Sequence, residues 1–136
     1  MGLVRVVLGL ALTFVFVMAG SVKLTPNVQQ DQYEEIAAAF STKYADIWSI
    51  AEFGITADEF RLAIGGAEVV LAIFLWILPR FSALGLMVIM ACAMYSHYAA
   101  QDPPGTLALT GTLFLLLGLF SLLSGPAPKK HRKKTD

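Results

Sequence analysis

Cysteine is nearly absent. Only Cys92 carries a thiol among 136 residues, so the chain can form no internal disulfide, no CxxC redox pair and no cysteine-rich zinc site. With His97 and His131 as its two histidines, the supply of other metal ligands is thin. Charge is scarce as well: Asp, Glu, Lys and Arg make up 15% of the chain, against roughly 25% in an ordinary soluble domain. Ten basic and ten acidic residues balance, which removes any general attraction to nucleic acid. There is no glycine-rich phosphate loop, no Ser-His-Asp order, no carboxylate dyad and no Asn-x-Ser/Thr sequon. An enzyme is hard to build from such a sequence, and no cofactor or metal is expected. What the chain has in excess is apolar side chains, at 57% of residues with a mean hydropathy of +0.67. That balance argues against a water-soluble globule.

Four apolar runs carry the excess: Val6–Val22, Leu62–Leu78 interrupted by Glu68, Phe81–Tyr98, and Leu107–Leu123. Each covers roughly 26 Å as a helix, slightly less than a ~30 Å hydrocarbon core and closer to the ~27 Å of the endoplasmic reticulum (ER) bilayer. Buried helices of a soluble bundle would show a polar stripe, and the first and last runs have none. The expected fold is therefore an all-α membrane protein, a four-helix transmembrane bundle over residues 1–124. Its spans are placed at about 3–24, 58–78, 81–99 and 106–123. Arg5 followed by an apolar run and the small residues Ala19 to Ser21 could suggest a cleaved signal peptide, but the run is long for one, and Lys23 and the following Leu-Thr-Pro read as a helix end. Position 6 is valine, which removes a myristoylation signal.

Charge sets the direction of threading. Lys129, Lys130, His131, Arg132, Lys133 and Lys134 follow the last span, and the positive-inside rule places them in the cytosol. Four spans then put the amino terminus there too, with the turn Pro79-Arg80. The connection between spans one and two holds Asp31, Glu34, Glu35, Asp46, Glu52 and Asp58 against Lys43, and falls on the lumenal side. Residues 125–136 form a basic tail in which Lys133 and Lys134 have the KKxx spacing of an ER retrieval signal; the plainer reading is a tail attracted to anionic lipid.

A connection of about 33 residues needs structure of its own. Within 25–57, Tyr33, Ile36, Ala37, Phe40, Tyr44, Ile47, Trp48 and Ala51 recur at three- and four-residue spacing, which predicts an amphipathic lumenal helix with an interfacial aromatic face. Its minimum role is to lie on the bilayer or cover the bundle; its sharper role is to meet a lumenal partner. Thr56-Ala57-Asp58-Glu59 has capping-box spacing and would start the second span.

Polar groups inside the membrane are the candidate site. Glu68 falls near the midplane, where an acid carries an insertion penalty of roughly 2.5–3.5 kcal/mol and needs a partner. Arg61, Ile64, Gly65 and Glu68 share one helix face, and Gly65 and Gly66 mark a packing surface. Helical side chains lean toward their own amino terminus, so Lys23 leans back into the membrane while Glu68 on the antiparallel second span leans to meet it. An interaction between them is expected, direct or through His97 or water. Lys23, Arg61, Glu68 and His97, with Tyr95, Ser96 and Asp102 nearby, then form a polar cluster. It can act as a structural lock, a partner-binding element or a proton or quinone site. Cys92 reads as a small packing residue, and His131 as one more solvated group in the tail.

The stretches FVFVMAGSVKLTPNVQQDQYEEIAAAF, FRLAIGGAEVV and MYSHYAAQDPP carry a likeness. Gly20–Pro26 joined to Ile64-Gly65-Gly66-Ala67-Glu68, then His97 and Asp102-Pro103, resembles the novel acetylcholine receptor chaperones (NACHO), a branch of the DoxX-like four-span membrane protein family. The resemblance implies an ER-resident, multi-pass chaperone, not an enzyme, that promotes folding and assembly of nicotinic acetylcholine receptor subunits. It further implies cooperation with the glycosylation and calnexin machinery. Tyr33, Phe40, Trp48, Gly65, Gly111 and Gly118 are the candidate client contacts, through helix packing in membrane lipid. The alternative is a DoxX-type subunit of a membrane oxidoreductase or a quinone- or sterol-binding membrane protein.

Overall fold

Prolines and small residues punctuate the chain into helices in the computed structural model, which describes residues 2–126. Helix α1 (Leu3–Leu24) runs unbroken through the first apolar stretch. After a short turn, α2 (Gln30–Ala39) passes through a π-helical turn (Phe40–Tyr44) into the single turn α3 (Ala45–Ile47). Ser49, in the left-handed region at φ 50° and ψ 39°, then reverses the chain into a 3₁₀ turn, Ile50–Phe53. Helices α4 (Ala57–Phe74), α5 (Pro79–Ala99) and α6 (Pro104–Leu123) complete the described chain. No strand occurs among the described residues.

The helix starts have local causes. At α4 the Thr56 hydroxyl accepts from the Glu59 backbone N–H while the Glu59 carboxylate accepts from the Thr56 N–H, both at 3.1 Å, which completes the capping box. Pro79 and Pro104 open α5 and α6, where the missing N–H has no intrahelical partner to lose.

The expected end of the second span shifts for the same kind of reason. It is expected at residue 78, yet α4 stops at Phe74 and the chain turns over 75–77. Leu78, held at φ −126° and ψ 67° ahead of a proline, cannot continue a helix. Pro79 and Arg80 therefore sit in the first turn of α5 instead of forming the connection.

Helix α1 lies along α4 and α5 along α6, while α4 against α5 and α1 against α6 close the ring. The core is Leu12 and Phe16 of α1, Ala72 of α4 with Leu75 just beyond, Ala83, Leu86 and Met90 of α5, and Leu117 and Phe120 of α6. The closest approach is at Gly20 and Gly65: a Cβ on Gly20 would stand 2.6 Å from the Gly65 carbonyl oxygen, and one on Gly65 2.8 Å from Lys23 Cβ. Only glycine allows α1 and α4 to touch this way. Gly66 has open space around it and is no part of that surface.

Helices α1, α5 and α6 are each long and apolar enough to cross a membrane, and only 22%, 28% and 22% of their apolar stretches are buried within the protein. Leu3, Val7, Leu10 and Phe14 of α1 and Leu115 and Leu122 of α6 point outward from the bundle. Such an exterior suits an apolar surrounding. Helix α4, with 18 residues that include Asp58, Glu59, Arg61 and Glu68, is not one of these three.

Candidate functional site

Lys23 at the end of α1 and Glu68 in the middle of α4 meet across the Gly20–Gly65 contact. Lys23 Nζ lies 3.1 Å from Glu68 Oε1 and 3.2 Å from Oε2, and it donates to the Ala19 carbonyl at 3.1 Å. Glu68 is 2% exposed, and Lys23 17%. The contact is direct; neither His97 nor any other described side chain bridges it.

The other members of the expected cluster are held elsewhere. Arg61 is buried on the same face of α4 two turns nearer its start, where its Nη2 lies 3.3 Å from Asp58 and its guanidinium rests 4.7 Å from the centre of the Tyr33 ring of α2. Its Nε and Nη1 have no hydrogen-bond partner among the described residues. The stacked aromatic compensates part of that loss.

His97 belongs to a second centre, built on Asp102 in the α5–α6 connection. Asp102 accepts from Lys43 Nζ at 3.0 Å, from the Tyr44 hydroxyl at 2.6 Å, and from His97 Nδ1 at 2.7 Å. The Tyr44 oxygen also lies 3.2 Å from that ring nitrogen. Burial pushes the pKa of the Asp102 carboxyl up, but hydrogen bonds from His97, Tyr44 and Lys43 outweigh it and hold the group down at about 2. An ionised carboxylate only accepts, so the proton between it and His97 sits on Nδ1. Burial and the facing carboxylate push the Tyr44 phenol well above its ordinary value.

The π-helical turn makes this centre. Its extra residue rotates the downstream turns of the helix, so that Lys43 and Tyr44 reach Asp102 and Trp48 Nε1 donates to Ser96 Oγ at 2.7 Å. Ala51 of the expected apolar series is exposed, because the chain has already reversed at Ser49, and Ile50 is buried in its place. The periodicity of the sequence carries no sign of a π turn. Asp102 as the common acceptor is equally hidden, since two of its partners lie 58 and 59 residues away.

Between the two centres lies a cavity of about 420 Å³, walled by α1, α4, α5 and α6 and covered by α2 and the π turn. Most of its wall is apolar, including Phe16, Ile64, Ile89, Ala93 and Leu113; its polar groups include Lys23, Glu68, Tyr44 and His97 inside and Gln32 and Glu35 at the rim. The volume falls in the range of small-molecule pockets.

The expected client contacts are largely engaged inside the protein. Gly65 is covered by α1, while Gly111 and Gly118 of α6 seat Met94 Sδ and Met87 Cε of α5, each 3.6 Å from where a Cβ would stand. Phe40 is buried edge-on to Tyr44 and Phe60. Tyr33 and Trp48 are half-buried beneath Arg61 and against Tyr95. Lys133 and Lys134 lie outside the described residues.

No protein-family model matches the chain. Curated proteins do. The chain is similar to proteins named novel acetylcholine receptor chaperone. It is 28% identical over 102 residues to that of Xenopus tropicalis, covering 72% of this chain and 63% of the relative. Against the Macaca fascicularis protein the identity is 28% over 102 residues, 72% of this chain and 61% of the relative. The Mus musculus protein is 27% identical over 100 residues, 71% and 60%. The aligned part thus spans about three-fifths of the length of these relatives.

Proposed function

We propose that the chain is a membrane chaperone of the ER that promotes folding and subunit assembly of nicotinic acetylcholine receptors. The observation that carries this reading is the similarity to the named receptor chaperones over 72% of the chain. In this reading α1, α4, α5 and α6 are the four spans of a DoxX-like bundle over residues 1–124. Both termini are cytosolic, 25–57 is lumenal, and the basic tail 125–136 carries Lys133 and Lys134 for retrieval. Two features support counting α4 as a span. Its Glu68 is paired with Lys23, and its Arg61 is paired and stacked, so neither charge faces lipid alone. At 18 residues, roughly 27 Å, it also suits the thinner ER bilayer.

The mechanism rests on the physics of helix packing in lipid. A nascent subunit exposes helix faces that a neighbouring subunit later covers, and a small bundle with an apolar exterior can shield them until that neighbour arrives. Because Gly65, Gly111 and Gly118 are occupied internally, the outer faces of α1 and α6 are the surfaces we assign to the client. The half-buried Tyr33 and Trp48 lie near the membrane boundary, where they can also meet it. The glycosylation and calnexin machinery acts beside it on the same client.

The test is co-expression of a tagged full chain with receptor subunits. Mild-detergent purification is expected to retain the subunits, and assembled receptor at the cell surface is expected to rise several-fold. No co-purification and no rise would overturn the reading. The cavity's volume, which suits a small ligand, is the ground for one alternative, a quinone- or sterol-binding membrane protein or a DoxX-type oxidoreductase subunit, for which lipid extraction and optical spectra are the direct check.

A further inference from the structure

The cavity beneath α2 is unusual in what its polar side leaves unpaired. Its side-chain donors are already committed to the protein. Lys23 Nζ serves the Ala19 carbonyl and both oxygens of Glu68. Tyr44 donates to Asp102, Ser96 to the Cys92 carbonyl, Thr106 to the Pro103 carbonyl and Thr110 back along its own helix. Beyond these stand the weakly donating Cys92 thiol and the amide of Gln32, which is exposed at the rim.

The acceptors are not used up. Glu68 carries about four lone-pair directions on its two oxygens, and Lys23 is its one partner among the described residues. His97 gives Nδ1 to Asp102, so in the neutral ring Nε2 keeps an open lone pair. Lys23 and Glu68 cancel in charge, and Glu35, which also lines the cavity, is exposed at its rim on α2, so the interior of the wall offers nothing to a charged ligand. A molecule that fills this space must be neutral and apolar over most of its surface. It gains affinity here by donating a hydrogen bond rather than by accepting one.

We propose that the cavity binds a neutral apolar alcohol, a sterol or a glycerol-based lipid with a free hydroxyl, whose O–H donates to Glu68 or to His97 Nε2. A quinone, which offers carbonyl acceptors, finds few free donors. Helix α2 has no buried residue and is the weakest wall, so the ligand enters beneath it. This assignment stands apart from the chaperone reading, since its test needs no receptor.

The full chain in phosphatidylcholine nanodiscs is photolabelled with a diazirine-bearing cholesterol analogue. Label is expected on cavity-lining peptides of α1, α5 or α6. Cholesterol should compete roughly tenfold better than cholesteryl methyl ether, which has the same body without the donor, and ubiquinone should compete poorly. Diacylglycerol competing as well as cholesterol would identify the glycerol source within the same chemistry; failure of diacylglycerol alone would identify the sterol. Ala93→Phe, which places a ring in the cavity, should reduce labelling at least tenfold. If that variant fails to elute as the wild type does, the alcohol–ether comparison on the wild type decides. The proposal is overturned if the ether competes equally, if the quinone competes better than the alcohol, or if the label lies on the outward faces of the helices.

Discussion

Holding Lys23 and Glu68 in apolar surroundings is costly unless each has the other, because an uncompensated buried charge cannot recover its hydration. Glu68→Ala should therefore destabilise the protein by about 3–5 kcal/mol, and the double change Lys23→Met with Glu68→Met should recover most of that loss. Thermal unfolding followed by size exclusion in detergent checks the ordering; a double variant no better than Glu68→Ala would show that the pair is more than a charge balance. The Asp102 centre gives a pH test. Its folded value of about 2 lies below the ordinary 3.8, so its contribution is present above about 4 and is lost as pH falls from there through about 2. The Tyr44 phenol is raised, so its contribution is complete below its ordinary value of 10.0 and disappears only in stronger alkali. Protease cutting within 30–53 should stay slow near neutral pH and quicken below pH 4; Asp102→Asn should quicken it at neutral pH as well. The first contact is legible in the sequence, because helical side chains lean predictably and an acid among apolar residues demands a partner. The second is not, since nothing local tells Lys43 and Tyr44 which distant carboxylate they will share.

At the scale of elements, α1 and α4 depend on a contact in which no side chain intervenes. Gly20→Leu must push α1 away from the Gly65 carbonyl and Val69, and overpacking of this kind costs about 1–3 kcal/mol. Gly66→Ala meets nothing and should be neutral or stabilising, by up to about 1 kcal/mol from helix propensity. Comparing the two in the same melting experiment separates close packing from a general intolerance of side chains in the bundle; equal losses would refute the contact. The glycines themselves are visible in the sequence, but which of the adjacent Gly65 and Gly66 faces α1 depends on helix rotation, and the wrong one of a pair is easily included. The same rotation decides Gly111 and Gly118, which the sequence offers as open patches and which instead receive methionines from α5. Helix beginnings are the most readable feature, at Thr56, Pro79 and Pro104, because caps and prolines act within one turn. The π turn at Phe40–Tyr44 is the least readable, for its cause is tertiary: it exists to bring Tyr44 and Trp48 onto partners in and beyond α5.

For the whole molecule, the question is how many times the chain crosses. Composition alone qualifies α1, α5 and α6, and three crossings would put the two ends on opposite sides. The proposed function adds α4 as a fourth. Helix α4 lies along α1 and beside α5, and its Glu68 and Arg61 are buried and partnered instead of turned to the outside. With Glu68 and Arg61 turned inward and the apolar Leu62, Val70 and Ile73 turned outward, α4 would meet lipid through apolar side chains if it crosses with its neighbours. Four crossings would bring Gly2 and Arg80 to one side and the acidic segment with Glu34, Glu35 and Glu52 to the other, the distribution that the positive-inside rule favours. The lone cysteine makes the test clean. In a Cys92→Ala background, Gly2→Cys and Arg80→Cys should react with a membrane-impermeant maleimide in sealed microsomes, whereas Ser41→Cys should react only after permeabilisation. Three crossings with α4 outside the bilayer would change that pattern: Arg80→Cys would then react together with Ser41→Cys, on the side opposite to Gly2→Cys.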